Sequence, residues 1–288
     1  MPELFIELYS EEIPSKLQID ARQKIQQIIE EKLKKKNINF KVGKSFSTPK
    51  RLVFLIEGIA KKIEMSKKTI KGPKVEAPPQ ALEGFIKTNN LAQQDIYKKK
   101  IEKGEFYFAE IKPKTIDILK ELQMIIPESL KAYSWKKSMK WSVFDLSWGR
   151  PLKSIIALFD NKQIDFNFFH LQSSNSTFID GVSDDKIKKV NNFKSYLQIL
   201  KSQNIVLDQE KRKNIIVKKM NNICNAKKLK NNFDEKLVEE VVNLVEKPYV
   251  IVGKFDEKYL KVPEEILIVN HLRVALIISD YILSNKIK

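Results

Sequence analysis

Leu4-Phe5-Ile6-Glu7-Leu8-Tyr9-Ser10-Glu11-Glu12-Ile13-Pro14-Ser15-Lys16-Leu17-Gln18 sets an apolar run, a polar break and a helix start in immediate succession. The run Leu4–Tyr9 is too short for a buried helix and holds no breaker, so it predicts a buried strand. Ser15 and Gln18 stand at capping-box spacing just after Pro14. Leu17, Ala21, Ile25, Ile28, Ile29 and Leu33 then recur on one helical face, and Lys34-Lys35-Lys36 complement the carboxyl end of its dipole. A second strand, 51–60, is entered through Thr48-Pro49. The opening is thus a β-α-β unit.

Farther along, Pro73, Pro78 and Pro79 mark a connection before a helix at 80–88. A strand is expected at 107–111 and a helix at 114–130 despite Pro127. Residues 152–159 and 163–171 read as a strand pair around Asp160-Asn161-Lys162, and 172–192 as a polar loop. Helices at 208–226 and 234–246 follow, then a strand at 249–255. The class is α+β, with a β-α-β unit at 1–62, a mixed region at 63–192 and a helix-rich region at 193–288 that ends in a strand and a tail.

The chain has 288 residues and a formal net charge of +17, with apolar residues at 42%, enough for a sizeable core. Only five of 53 basic residues are Arg, so part of the excess is the Lys, Asn and Ile bias of a skewed coding composition. The remaining positive field still favours a polyanion. One cysteine, Cys224, excludes an internal disulfide and a Cys-based zinc site. His170 and His271 are too few and too far apart for a histidine-rich metal centre. The eight glycines are scattered, which excludes both the dinucleotide fingerprint and the Walker loop. Met1–Ser10 lacks the basic start and long apolar run of a signal peptide, and Leu272–Leu283 is broken by Arg273 and Asp280 and too short to span a bilayer. A cytoplasmic chain without a membrane partner is expected.

Candidate chemistry is sparse. Glu11-Glu12 sits before a helix N-terminus, where negative charge is favoured without any catalytic role. Asp184-Asp185 is one acidic dipeptide in a polar loop, which reads as solvated rather than as a magnesium site. Cys224 lies on a basic helix with no histidine nearby in sequence and reads as a packed thiol. No catalytic or metal residue is assigned. The segment Trp135-Lys136-Lys137-Ser138-Met139-Lys140-Trp141, with Trp148-Gly149-Arg150-Pro151, holds every Trp of the chain among four basic residues. Such interleaving suits phosphate contact and base stacking on RNA, and equally suits core Trp rings flanked by solvated lysines. Extended alternation across Met139-Lys140-Trp141 predicts Trp141 buried and Lys136, Lys137 and Lys140 exposed. Thr48-Pro49-Lys50-Arg51-Leu52 is expected to present Lys50 and Arg51 at the mouth of a strand.

These motifs resemble, in order, those of the bacterial glycyl-tRNA synthetase β subunit. Glu7-Leu8-Tyr9-Ser10-Glu11-Glu12-Ile13-Pro14 is similar to the opening Glu-Ile-Gly-Thr-Glu-Glu-Leu-Pro, and Thr48-Pro49-Lys50-Arg51-Leu52 to Thr-Pro-Arg-Arg-Leu. Lys71-Gly72-Pro73 resembles Arg-Gly-Pro, with Ala81-Leu82-Glu83-Gly84-Phe85 and Lys103-Gly104-Glu105 after it. Ser138-Met139-Lys140-Trp141 stands for Met-Arg-Trp, and Arg150-Pro151-Leu152 for the Arg-Pro before a strand. Val241-Val242-Asn243-Leu244-Val245-Glu246-Lys247-Pro248 and Val262-Pro263-Glu264-Glu265-Ile266-Leu267 complete the series. Two departures stand out. Ser176-Thr177-Phe178-Ile179-Asp180-Gly181 replaces the family's Gly-His-Arg-Phe, and the likeness stops after Ile268, before the HD-type and anticodon-binding regions.

The resemblance implies the N-terminal portion of a β subunit in an α2β2 glycine–tRNA ligase. ATP, Mg and glycine would be bound by the α subunit, and this chain, non-catalytic alone and holding no cofactor, would contribute tRNA-Gly contacts and assembly. Charge and motif position nominate Lys50, Arg51, Lys71, Lys136, Lys137, Lys140 and Arg150 as RNA-binding. A stand-alone basic RNA-binding module and a truncated, non-catalytic synthetase paralogue are the alternatives.

Overall fold

A computed structural model describes residues 2–65, 68–89, 91–101, 104–111, 114–179, 187–227 and 235–251. In chain order the elements are β1 (Glu3–Ser10), α1 (Ser15–Lys35), β2 (Val42–Thr48), β3 (Arg51–Glu57), β4 (Lys62–Met65), β5 (Lys68–Lys74), α2 (Pro79–Asn89), β6 (Ile96–Ile101), β7 (Gly104–Ile111) and β8 (Lys114–Asp117). They continue with α3 (Ile118–Ala132), β9 (Leu152–Phe159), β10 (Lys162–Gln163), β11 (Asn167–Phe168), β12 (Leu171–Ser174), β13 (Ser176–Phe178), β14 (Ile187–Lys189), α4 (Phe193–Ser202), α5 (Gln209–Ala226) and α6 (Glu235–Val242). The fold is α+β. It divides into two compact units, one formed by the described residues up to Ala60 and from Leu122 onward, the other by 61–121. This division differs from three successive segments because β9, from the middle of the chain, returns to pair with β1.

The larger unit is built on a mostly antiparallel sheet in the order β11-β12-β9-β1-β3-β2, with β10 also against β9. β1 is central, paired with β3 on one side and β9 on the other. Its buried apolar run follows from that position, since both faces are covered. Phe5, Val53, Leu55, Ile156 and Leu158 pack on one face against Tyr196 and Leu200 of α4 and against Ile205 and Leu207. The opposite alternation, Leu4, Ile6, Leu8, Leu52, Phe54 and Ile56, is equally buried. There α1 lies along β2 and β3 and buries Leu17, Ala21, Ile25, Ile29 and Leu33. α3 is tied to α1 by Tyr133 Oη donating to Asp20 (2.9 Å) and by Lys32 to Glu128 (2.8 Å).

The opening differs from the sequence expectation in two places. β2 is inserted between helix and strand, and a tight turn at Pro49-Lys50 joins it to β3. Its sequence, Val-Gly-Lys-Ser-Phe-Ser-Thr, has too little apolar alternation to read as a strand, and the pairing with β3 makes it one. The capping box does not form either. Pro14 caps the helix, and the Gln18 side chain is buried, donating to the carbonyls of Ile13 (2.7 Å) and Asn243 (2.6 Å).

Downstream, the hairpin at 160–162 forms, with Asp160 and Asn161 at positive φ of 50° and 64° as a primed turn requires. The strand expected at 163–171 breaks into β10 and β11. Ser173 Oγ intervenes, donating to Ile164 O (2.7 Å) and accepting from Phe166 N (2.9 Å). Residues 172–192 are not wholly loop, since β12 runs parallel to β9 and β13 pairs with β14. The first four residues of the helix expected at 114–130 are instead β8, paired with β4. α5 starts at Gln209 and is capped by Asp208, whose carboxylate accepts from the amides of Glu210 and Lys211. The closing strand expected at 249–255 lies mostly outside the described residues, as do Asp184, Asp185 and the tail.

The smaller unit holds the antiparallel sheet β5-β7-β6 and the pair β4-β8. α2 lies against β5, where a Cβ on Gly72 would come within 2.9 Å of the Phe85 ring and push it aside.

Candidate functional site

The motif segments of the larger unit meet around one buried ion-pair network. Glu7 is the single charged residue within the apolar run of β1, and the register places it beside Val53 and Ile156 on the face covered by α4. A carboxylate there must find partners. Glu7 Oε1 accepts from Arg51 Nε (3.1 Å), Thr177 Oγ1 (3.0 Å) and Tyr196 Oη (2.6 Å). Arg51 also donates to Glu246 Oε1 (2.6 Å) and to Phe178 O, and its guanidinium lies 4.8 Å from the Tyr9 ring centroid. Thr48 Oγ1 reaches the same Glu246 oxygen at 2.5 Å.

Backbone bonds lace the same segments together. Ser10 N donates to Lys50 O (2.8 Å), Ile13 N to Pro49 O (2.7 Å) and Glu11 N to Pro151 O (2.9 Å). Arg212, buried, adds a second clamp: it donates to the carbonyls of Val206, Leu207, Val242 and Ser47, all within 2.9 Å. Burial pulls its pKa down to about 10, so it stays charged at neutral pH.

Burial raises the pKa of Glu7, and Arg51, Tyr196 and Thr177 offset this only in part. Burial works against the Arg51 charge too, but Glu246, Tyr196 and Glu7 together hold its pKa above the ordinary value. A carboxyl whose folded pKa is raised binds more protons folded than unfolded, so its contribution falls as pH rises above the ordinary value of 4.5. Glu7→Gln lacks this titration. Melts of the chain and the variant from acid to neutral pH are expected to show the variant gaining relative stability as pH rises. A difference that moves the other way would show that ionised Glu7 is the favoured form.

Arg51 does open β3, but its side chain turns into the core, 1% exposed, and offers nothing for phosphate contact. Lys50 is half-buried at the turn. Lys71 belongs to the smaller unit and is exposed, its Nζ 3.5 Å from the Phe106 ring centroid. The others lie on one folded-back segment. Met139 and Trp148 exchange both backbone bonds (2.8 and 3.1 Å), so the stretches carrying Lys136–Lys140 and Arg150 run side by side. Lys136, Lys137 and Lys140 are exposed; Lys136 lies 3.3 Å from Asp20 and Lys140 3.5 Å from Asp145. Arg150 is half-buried and donates to Gly149 O (2.8 Å).

Beneath the lysines, Trp135 packs edge-on against Tyr133 and Trp148, and Trp148 against Phe168. A Cβ on Gly149 would come within 2.4 Å of the Trp135 ring, so glycine is required. Trp141 is half-buried, not buried, set edge-on to His170, which itself stacks on Phe144 at 3.6 Å; Met139 is 42% exposed. The core rings are therefore Trp135 and Trp148. The strand alternation expected for 139–141 fails because only Met139 is laddered.

Glu11 and Glu12 are exposed, with Glu11 paired to Lys153, and Cys224 is buried on α5. Among the described residues no group of His, Cys, Asp or Glu could hold a metal ion, and no helix is long and apolar enough to cross a membrane. Glu7, Tyr196, Thr177 and Arg212 were not singled out from sequence. The signal available was Glu7 itself, one carboxylate inside an otherwise apolar strand.

Segments far apart in the chain thus build one core. The glycyl-tRNA synthetase beta subunit family matches residues 4–274, and the chain belongs to that family. The match extends past Ile268, where the likeness of individual motifs ends. Curated relatives include the glycine–tRNA ligase beta subunits of Rickettsia typhi and Rickettsia akari, each 35% identical over 268 residues and 93% of this chain. That of Rickettsia bellii is 34% identical over a span of the same length. The chain spans about 40% of the length of these relatives.

Proposed function

We propose that the chain serves as the N-terminal portion of the β subunit of a cytoplasmic glycine–tRNA ligase, contributing tRNA-Gly contacts and assembly with an α subunit in an α2β2 enzyme. ATP, Mg and glycine are handled by that α subunit, and this chain is non-catalytic alone. The observation that carries the tRNA reading is the cluster of exposed Lys136, Lys137 and Lys140 held over the rigid Trp135–Trp148 core. Lysines on a fixed base suit phosphate contacts, which position a nucleic acid without reading its sequence. Lys50, Lys71 and Arg150 remain in the proposed set, and Arg51 leaves it as a core residue.

The test is a titration of the chain with tRNA-Gly over a salt series. Affinity is expected to fall steeply, each phosphate contact adding about −0.7 to −0.9 to the slope of log K against log salt. Replacing Lys136, Lys137 and Lys140 by Ala together is expected to flatten the slope by about 2 to 3 with an unchanged melt. A slope unchanged in that variant would remove these lysines from the interface. Glycine-dependent ATP–pyrophosphate exchange is expected only when α subunit is added, and robust exchange by the chain alone would overturn the division of labour.

A further inference from the structure

We propose that the open face of the β5-β7-β6 sheet in the smaller unit is a stacking platform for unpaired RNA nucleotides. The register sets two rows across the three strands. Lys71, Phe108 and Tyr97 form one; Lys74, Phe106 and Lys99 form the next. The opposite alternation carries Ala109, which is fully buried, whereas Tyr97 is 38% exposed and all three lysines are exposed. The solvent face of an antiparallel sheet ordinarily reads as polar. Here it presents three aromatic rings, with Tyr97 stacked on Phe108 at 6.1 Å between centroids.

Cations surround these rings. Lys71 Nζ lies 3.5 Å and Lys74 Nζ 5.9 Å from the Phe106 centroid, and Lys99 Nζ 5.9 Å from that of Phe108. Such contacts in solvent are weak, so a base can take the ring face while the ammonium moves to the adjoining phosphate. Neither row holds a carboxylate; Glu110 opposite Thr69 bounds the far end. Flat rings with lysines beside them complement a base and its phosphate together. Phe106 and Phe108 are two residues apart on one strand, about 6.8 Å, roughly twice the ~3.4 Å rise of a stacked strand. Neighbouring bases on the two rings are therefore pulled apart, which a paired duplex does not permit. The partner is single-stranded RNA, a loop or a free end.

This goes beyond the lysine cluster of the larger unit; the platform shares with the proposed tRNA-contact set a polyanionic partner and Lys71. The test titrates the full chain with a short, fluorescently labelled oligouridylate and with a duplex RNA of the same length. Phe106→Leu and Phe108→Leu, which keep apolar bulk without a ring face, are each expected to weaken the single strand by about 5- to 150-fold. Their melts and duplex binding are expected to be unchanged. Tyr97→Ala and Lys99→Gln, on exposed positions of the edge strand β6, decide the matter should a Leu variant fold poorly. The first is expected to lose affinity at every salt concentration and the second to flatten the salt slope by about 0.7. Introduced into the triple alanine variant at Lys136, Lys137 and Lys140, each ring substitution is expected to cost the same fold in oligouridylate affinity as in the unsubstituted chain, so failure of the platform and failure of the lysine cluster are read separately. Unchanged oligouridylate affinity in the ring variants, equal binding of duplex and single strand, or tighter binding to an acidic peptide or to anionic vesicles would each overturn the proposal.

Discussion

Arg51→Ala is expected to destabilise the chain by about 3–5 kcal/mol, read from the shift in its denaturant midpoint at constant slope. The size follows from what the substitution strands rather than from the bonds it removes. Glu7 is fully buried and Glu246 largely so, and both point oxygens at the guanidinium. Once it is gone, Glu7 keeps only two hydroxyl donors and Phe178 O loses a partner. Two carboxylates are then left facing each other in a poorly solvated space. Arg51→Lys restores the charge but not the planar fork that reaches Glu7, Glu246 and Phe178 together, so it is expected to recover only part of the loss. An Arg51→Ala chain within about 1 kcal/mol of the unsubstituted one would show that the network relaxes by taking up water or protons.

Trp148→Ala is the second large effect, expected at about 3–5 kcal/mol. The ring is 1% exposed and wedged between Trp135 and Phe168, so truncation leaves a cavity that neighbouring rings cannot fill without leaving their rotamers. Trp141→Ala serves as the comparison. That ring is half-buried on His170, and its loss belongs with ordinary substitutions of roughly 0.5–3 kcal/mol. Thermal melts of the two variants in parallel check the ranking. Equal losses would mean that the Trp141–His170–Phe144 stack is as much core as the Trp135–Trp148 pair.

Much of the larger unit was legible because burial writes itself into periodicity. β1, α1, β3, β9 and α5 are long and apolar or strongly patterned, and each stands close to where its sequence put it. β2 and β6 were not legible. Val42–Thr48 is rich in Ser, Gly and Lys, and Ile96–Ile101 has three consecutive lysines at its centre. Both are edge strands paired to the strand that follows them in the chain, and the polar side chains of an edge leave no apolar alternation to mark that pairing. The site divides in the same way. Exposure of Lys136, Lys137 and Lys140 follows from their chemistry, but the burial of Arg51 depends on Glu7 and Glu246, about which the residues around Arg51 are silent.

Arginine content was a usable clue. In a chain with 48 lysines and five arginines, the four arginines in the described residues all donate to protein acceptors. Where composition drifts toward lysine, the arginines that remain mark places where a flat, many-pronged cation is needed.

The pairing of β1 with β9 also governs how the chain is made. The ~140 residues between Ser10 and Leu152 take about 7–30 s to leave a ribosome that adds 5–20 residues each second. During that interval β1 can pair with β3, but its other edge waits open, lined with the apolar side chains of Leu4 to Leu8. An open apolar edge is a template for pairing with another nascent chain. The smaller unit is synthesised entirely within this wait, so its presence lengthens the exposure of an unfinished sheet. Translation tempo before Leu152 and access to a holding chaperone thereby enter the yield of folded protein, alongside anything written in the finished structure.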